Sequence, residues 1–265
     1  MPVLLVIPAR YASSRYPGKP LAELVGATGE PRSLIRRSWE AAIEVPGVDR
    51  VVVATDDDRI ADASRAFGAE VVMTPEACRN GTERCAAALA ALPGFDVVVN
   101  LQGDAPLTPP WFVGALVEAM QADPERMMAT PVLRCDAASL EGFLDDRRHG
   151  RVGATTAVFD RTGRALYFSK EVIPFTGGAL APGDAIPVFH HVGVYAYRRE
   201  ALVAYPGWPV GPLERFEGLE QLRFLESGVP IHCVEVEARG RAFWELNNPN
   251  DVPRIEAILR ELGLP

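Results

Sequence analysis

Val3-Leu4-Leu5-Val6-Ile7-Pro8-Ala9-Arg10-Tyr11-Ala12-Ser13-Ser14-Arg15-Tyr16-Pro17-Gly18-Lys19-Pro20 begins as an apolar run and ends as a loop of cations and hydroxyls. The unbroken apolar stretch Val3–Ile7 suits a strand buried on both faces, as in a parallel sheet covered by helices. Open sheets of that kind bind ligands outside the carboxyl ends of their strands, where this loop emerges. It carries Arg10, Arg15 and Lys19 with Ser13 and Ser14. Backbone N–H groups and clustered cations match a triphosphate, whose charge must be balanced in partial exclusion from water. Among 27 Lys and Arg in 265 residues, lysine occurs only at 19 and 170. One of the two thus sits in this loop, where a compact point charge serves a phosphate. The competing reading is a solvated basic loop.

Outward from this stretch, short β-branched runs alternate with helical patterns. Ser33 can cap a helix reaching about Val45, and Val51–Thr55, Glu70–Met73, Val97–Leu101 and Met128–Leu133 read as strands. Helices are expected over Arg59–Phe67, over Thr82–Leu92 and from near Pro109, where two prolines suit a first turn. The fold class is α/β: a Rossmann-like, mostly parallel sheet with helices on both faces. In the second half, Thr155–Asp160 and Ala165–Phe168 flank Arg161-Thr162-Gly163, a hairpin signal. A Gly/Pro-rich loop over Phe175–Pro187, a strand Val192–Tyr197, a helix Leu213–Glu226, a strand His232–Val236 and a closing helix Asp251–Leu262 follow. A single domain over 1–265 is expected, with an antiparallel arm at about 155–198.

Net charge is −8 and 48% of residues are hydrophobic, enough for one sizeable core. No basic stripe marks a nucleic-acid surface, so an anion-handling protein of this charge must concentrate its cations at one site. Cys78, Cys85, Cys135 and Cys233 form no C-x-x-C pair, which argues against structural zinc and a disulfide framework and for a reducing compartment. Neither a signal-peptide pattern nor an apolar run of membrane-spanning length is found, so a soluble, cytoplasmic protein is expected.

Two further stretches carry chemistry. Asn100-Leu101-Gln102-Gly103-Asp104-Ala105-Pro106 ends a buried strand, where an aspartate can hold Mg²⁺ against phosphate oxygens. The alternative is a turn aspartate capping the next helix. Arg79-Asn80-Gly81-Thr82-Glu83-Arg84 places a Gly-Thr pair at a helix start, where N–H groups can face a nucleotide with Arg84 reaching back. A plain N-cap at Thr82 is the other reading.

With Ala54-Thr55-Asp56, Ala165–Ser169 (ALYFS), His191–Tyr197 (HVGVYAY) and Pro212–Arg223 (PLERFEGLEQLR), these stretches resemble the 3-deoxy-manno-octulosonate (Kdo) cytidylyltransferase family over almost the whole chain. The resemblance implies Mg²⁺-dependent transfer of CMP from CTP to a small acidic acceptor, with pyrophosphate released. It implies that Ala9, Arg10, Ser13, Ser14, Arg15 and Lys19 hold the nucleotide's phosphates and that Asn80, Gly81, Thr82, Arg84 and Gln102 contact the nucleotide. Arg10, Arg15, Lys19 and Asp104 would carry catalysis, and Asp104 with Asn247 the metal. Lys170, His191, Tyr195, Glu220 and Gln221 fall on the acceptor side, although Tyr195 could equally be strand packing and Glu220 a solvated helix face. A homodimer through the middle arm is also implied, with no nucleic-acid or membrane partner.

Departures from the family pattern cluster. V-D-T-P-E-D reads Leu246-Asn247-Asn248-Pro249-Asn250-Asp251, so the second metal aspartate becomes Asn247, an oxygen ligand without charge. Gly-Asp-Glu-Pro reads Gly103-Asp104-Ala105-Pro106, N-x-V-K reads Gly153-Ala154-Thr155-Thr156, and an arginine after Phe-Ser becomes Lys170. All lie at the metal or on the acceptor side, while the phosphate loop is intact. The acceptor is therefore Kdo or a related 2-keto sugar acid, or alternatively a phosphonate such as phosphonoformate, as in phosphonate antibiotic biosynthesis. A catalytically silent nucleotide-binding homologue is the third reading; the retained loop cations, Gln102, Asp104, Glu220 and Gln221 oppose it. A metal-dependent glycosyltransferase would want an Asp-x-Asp pair, which Gly103-Asp104-Ala105 does not supply.

Overall fold

The computed structural model describes residues 1–12, 16–152, 154–176, 185–241, 246 and 248–265. Strand β1 (Val3–Ala9) is buried along its whole length, as its apolar run requires. A short antiparallel ribbon, β2 (Glu23–Val25) and β3 (Pro31–Ser33), then leads into α1 (Leu34–Ile43). Ser33 occupies the N-cap position of α1, but its side chain makes no capping bond. There follow β4 (Arg50–Thr55), α2 (Asp58–Ala66), β5 (Glu70–Met73), α3 (Gly81–Ala91), β6 (Val97–Leu101), α4 (Pro110–Ala122) and β7 (Met128–Arg134). After α5 (Ala137–Arg148) come β8 (Thr155–Phe159), β9 (Ala165–Ser169), β10 (Phe189–His191) and β11 (Val194–Arg198). The chain closes through α6 (Arg199–Ala204), α7 (Pro212–Glu217), α8 (Leu222–Glu226), β12 (Ile231–Glu235) and α9 (Val252–Glu261).

Among the described residues one ten-stranded sheet runs β5-β4-β1-β6-β11-β7-β10-β8-β9, with β12 parallel to β7 off that path. Strands β5, β4, β1 and β6 are mutually parallel; β11 enters antiparallel to β6 and β7. Period-two alternation splits the core across the sheet. Leu4, Val6, Val52, Ala54 and Val98 face α3, α6 and α8, while Val3, Leu5, Ile7, Val53 and Val99 face α1, α2 and α4. The expected hairpin is present as β8 and β9, and these antiparallel strands continue the main sheet to its edge.

The structure adds elements the sequence reading left out: the β2–β3 ribbon, helix α5 and strand β10. It also divides the helix expected over Leu213–Glu226. Gly218, at φ +64°, ends α7 in a left-handed cap, and Leu219–Gln221 form a turn before α8. That break, invisible to apolar periodicity, shapes one wall of the site.

Candidate active site

Four segments distant in sequence meet at the carboxyl edge of the parallel strands. β1 and β6 are register neighbours, with Val3 opposite Val97 and Val6 opposite Asn100, so their following loops leave side by side. The turn after β6 presses onto β1: a Cβ on Gly103 would lie 2.9 Å from the Pro8 carbonyl oxygen, which only glycine tolerates. β11 runs back along β6 with Tyr195 opposite Asn100, and α3 starts beside the same edge. Between them lies a cavity of about 410 Å³.

One wall carries Ala9, Arg10, Lys19, Gln102 and Asp104; a second carries Asn80, Gly81 and Arg84; a third carries Tyr195, Glu220 and Gln221. Residues expected on the phosphate, nucleotide and acceptor sides thus line one space. Lys19 Nζ sits 2.6 Å from Asp104 Oδ2, pairing residues 85 positions apart. Glu220 Oε2 accepts from the Thr82 backbone N–H at 3.2 Å, and Oε1 accepts from Gln102 Nε2 at 3.4 Å. Burial raises the Glu220 carboxyl above its ordinary range, opposed by the Thr82 hydrogen bond. Tyr195 donates to Gln221 Oε1 at 3.2 Å, leaving the Gln221 amide nitrogen without a partner among the described residues.

Other expected residues are placed differently. Asn80, not Thr82, caps α3, accepting from the Glu83 N–H at 2.9 Å, and its amide donates to the Tyr205 hydroxyl. The Thr82 side chain is buried against the Tyr197 hydroxyl at 2.8 Å, so only its backbone serves the site. Arg84 is 3% exposed; its guanidinium donates to Asp56 Oδ2 at 2.8 Å and to Thr74, fixing α3 to the β4 and β5 ends. His191 is buried behind the cavity, bonded through Nε2 to Thr130 and edge-on to Phe168. Desolvation drops its pKa to about 3, so it stays neutral. Lys170 does not line the cavity, yet its ammonium lies against Gly218 of the wall carrying Glu220 and Gln221: a Cβ there would lie 3.0 Å from Nζ. Ser13, Ser14, Arg15 and Asn247 lie outside the described residues.

Sequence reasoning missed three contributors. Arg79 lines the cavity while its guanidinium pairs with Glu83. Cys78 also lines it. Arg223, 1% exposed, donates at 2.6 Å to each oxygen of Glu214 and at 3.1 Å to Glu83, tying α8 to α7 and α3. The Glu and Arg of PLERFEGLEQLR gave their types; their pairing needed the fold. The Leu246 N–H donates to the Asp104 carbonyl at 2.9 Å, bringing the C-terminal segment to the Asp104 side of the cavity.

Among the described residues no three His, Cys, Asp or Glu converge as a metal cage. Asp104 nevertheless offers a hard carboxylate oxygen to the cavity, which fits Mg²⁺, an ion that takes one or two carboxylates plus substrate phosphates. No helix among the described residues is long and apolar enough to cross a membrane.

Comparison with known proteins agrees with this geometry. The family model described as cytidylyltransferase matches residues 4–231. A 3-deoxy-manno-octulosonate cytidylyltransferase from Maricaulis maris is 47% identical, covering 99% of each chain. One from Syntrophotalea carbinolica is 41% identical over 99% of this chain and all of that one. A solved CMP:2-keto-3-deoxy-manno-octonic acid synthetase complexed with CTP superposes with TM-score 0.84 at 34% identity, covering 98% of both chains. A 4-diphosphocytidyl-2C-methyl-D-erythritol synthase from Anaerococcus prevotii shares only the fold, at 13% identity and TM-score 0.57. A nucleotidyltransferase by its family and its cavity, the chain belongs to the 3-deoxy-manno-octulosonate cytidylyltransferases.

Proposed function

We propose that this enzyme transfers CMP from CTP to Kdo, or a closely related 2-keto sugar acid, with release of pyrophosphate and dependence on Mg²⁺. The observation that carries this is one continuous cavity with Arg10, Lys19 and Asp104 on one wall and Tyr195, Glu220 and Gln221 on another. The first group suits a polyphosphate; the second offers hydroxyl, carboxylate and amide groups suited to a polyhydroxy acid. The Gln221 amide nitrogen, buried and without a partner among the described residues, is an unmet donor beside this wall.

In the reaction, an acceptor oxygen attacks the α-phosphorus in line with departing pyrophosphate, and the enzyme's part is positioning and charge stabilisation. Arg10 and Lys19 bind the triphosphate and stabilise charge on the leaving group. Glu220, held by the Thr82 N–H, orients acceptor hydroxyls. Asp104, with Asn247, would hold Mg²⁺, which neutralises phosphate charge when bound.

The phosphonate alternative draws on lost carboxylates near the acceptor. Ala105 is 3% exposed and lies off the cavity wall, so its departure does not remodel the acceptor surface directly. Pyrophosphate release from CTP and Mg²⁺ is to be measured with Kdo and phosphonoformate in separate reactions. Release with Kdo supports the proposal; release with phosphonoformate alone replaces the acceptor, and failure to bind CTP rejects the reading. A soluble, cytoplasmic enzyme and the homodimer implied by the resemblance belong to the same proposal, and sedimentation of the purified enzyme tests its stoichiometry.

A further inference from the structure

The Lys19–Asp104 pair joins a group expected on phosphate to one expected on metal, and neither partner can serve both at once. At 2.6 Å the ammonium lies directly against Oδ2, and the side chains are 14% and 28% exposed, so solvent screens the pair only in part. Among the described residues no group of three His, Cys, Asp or Glu makes a metal cage at Asp104. A cation arriving alone would have to displace Lys19 and leave its ammonium without its paired carboxylate. A nucleotide arriving with the cation removes both penalties, because the triphosphate receives Lys19 as the carboxylate is freed.

Resting on the cytidylyltransferase reading, we propose that Lys19 is a built-in counter-ion that closes the Asp104 site to divalent cations until a nucleotide triphosphate draws it away. Metal and nucleotide then bind cooperatively to the protein, each raising the other's affinity by the same factor. Lys19 is thereby a gate on metal entry as well as a phosphate ligand.

The test is Mn²⁺ binding to the nucleotide-free, full-length enzyme, followed by the electron paramagnetic resonance signal of free Mn²⁺. Lys19→Met and Lys19→Gln are compared with wild type, and Arg10→Met serves as the charge control, since Arg10 lines the same cavity without pairing Asp104. Both Lys19 variants should bind Mn²⁺ at least about fivefold more tightly than wild type, a gain typical of site coupling. Arg10→Met should change it little, and adding Asp104→Asn to Lys19→Met should abolish the gain. Unchanged or weaker Mn²⁺ binding in both Lys19 variants overturns the proposal. An equal gain in Arg10→Met also overturns it, by reducing the effect to general electrostatics. Circular dichroism confirms that each variant is folded. Calorimetry of CTP binding to wild type in excess Mg²⁺ tests the functional reading separately, since its failure would leave the Mn²⁺ comparison standing.

Discussion

Replacing Arg223 by Met removes the most deeply buried cation behind the wall carrying Glu220 and Gln221 while keeping much of its volume. The guanidinium is 1% exposed, holds both oxygens of Glu214 at 2.6 Å and lies 4.1 Å over the Tyr205 ring. Glu83 keeps Arg79 as a partner after the change, but Glu214, itself 8% exposed, loses its one side-chain cation among the described residues. Removing one member of a buried ion pair costs roughly 3–5 kcal/mol, because the remaining charge is left uncompensated. The Tyr205 contact adds about 1 kcal/mol to that loss. At about 2–4 °C per kcal/mol for a chain of this size class, the melting temperature should fall by roughly 8–24 °C. Urea unfolding followed by circular dichroism gives the free energy, and Arg223→Met with Glu214→Gln should recover roughly 1–3 kcal/mol by removing the stranded charge. Gly218–Gln221 lie between the two ends of this pair, so KM for the acceptor should rise in the single variant. A loss below about 1 kcal/mol, or no recovery in the double variant, would refute the claim that this pair holds the wall.

Three other outcomes follow from particular contacts. A Cβ on Gly81 would meet Gln102 Nε2 at 3.1 Å and Asn100 Nδ2 at 3.2 Å, at the first position of α3. Gly81→Ala should therefore leave the melting temperature level or slightly raised, since alanine favours helix, while raising KM for CTP several-fold. Arg84→Met should lower stability by roughly 3 kcal/mol in urea unfolding, because Asp56 loses its buried partner; an unaltered midpoint with weakened CTP binding would instead assign Arg84 to the nucleotide. Burial holds His191 at a pKa of about 3 against 6.5 when exposed. Below pH 6.5 the unfolded chain takes up a proton that the folded chain refuses, so this contribution to stability is lost as pH falls toward 3. The stability gap between wild type and His191→Gln should accordingly shrink by about 2 kcal/mol between pH 7 and pH 5, a difference that cancels the titration of other groups.

The parts of the molecule legible in the sequence are those dictated by local pattern. The apolar runs of β1 and β6 could belong only to buried strands, and the loops after them had to emerge at the ligand-binding edge. Arg10, Lys19, Gln102 and Asp104 were therefore identifiable before any coordinates. What stayed hidden depends on pairing across the fold. Arg84 and Lys19 are both cations beside glycine-containing turns, yet one is locked onto Asp56 while the other faces the cavity on Asp104. His191 and Tyr195 are four residues apart on β10 and β11, which both run antiparallel to β7, but only Tyr195 reaches the cavity. The α7–α8 break escaped because a helical apolar pattern continues across Gly218, whose positive φ is a backbone property the pattern does not report.

The two sides of the cavity are built on different foundations, and this bears on how an acceptor could change within the fold. The phosphate side hangs from β1 and β6, central parallel strands whose side chains pack both halves of the core, so altering it disturbs the whole sheet. The side proposed for the acceptor is a turn between two helices of six and five residues, fixed by Arg223, Glu214 and Glu83. Short helices contribute little stability of their own, so this wall takes its shape from that ion-pair network and from the stack of Tyr197, Phe224 and Tyr205 beneath it. Substitutions around Glu220 and Lys170 can therefore retune the acceptor while Arg10, Lys19 and Asp104 keep their places. The departures from the family pattern at Ala105, Thr156 and Lys170 spare every described cation of the phosphate loop, as that division of labour requires.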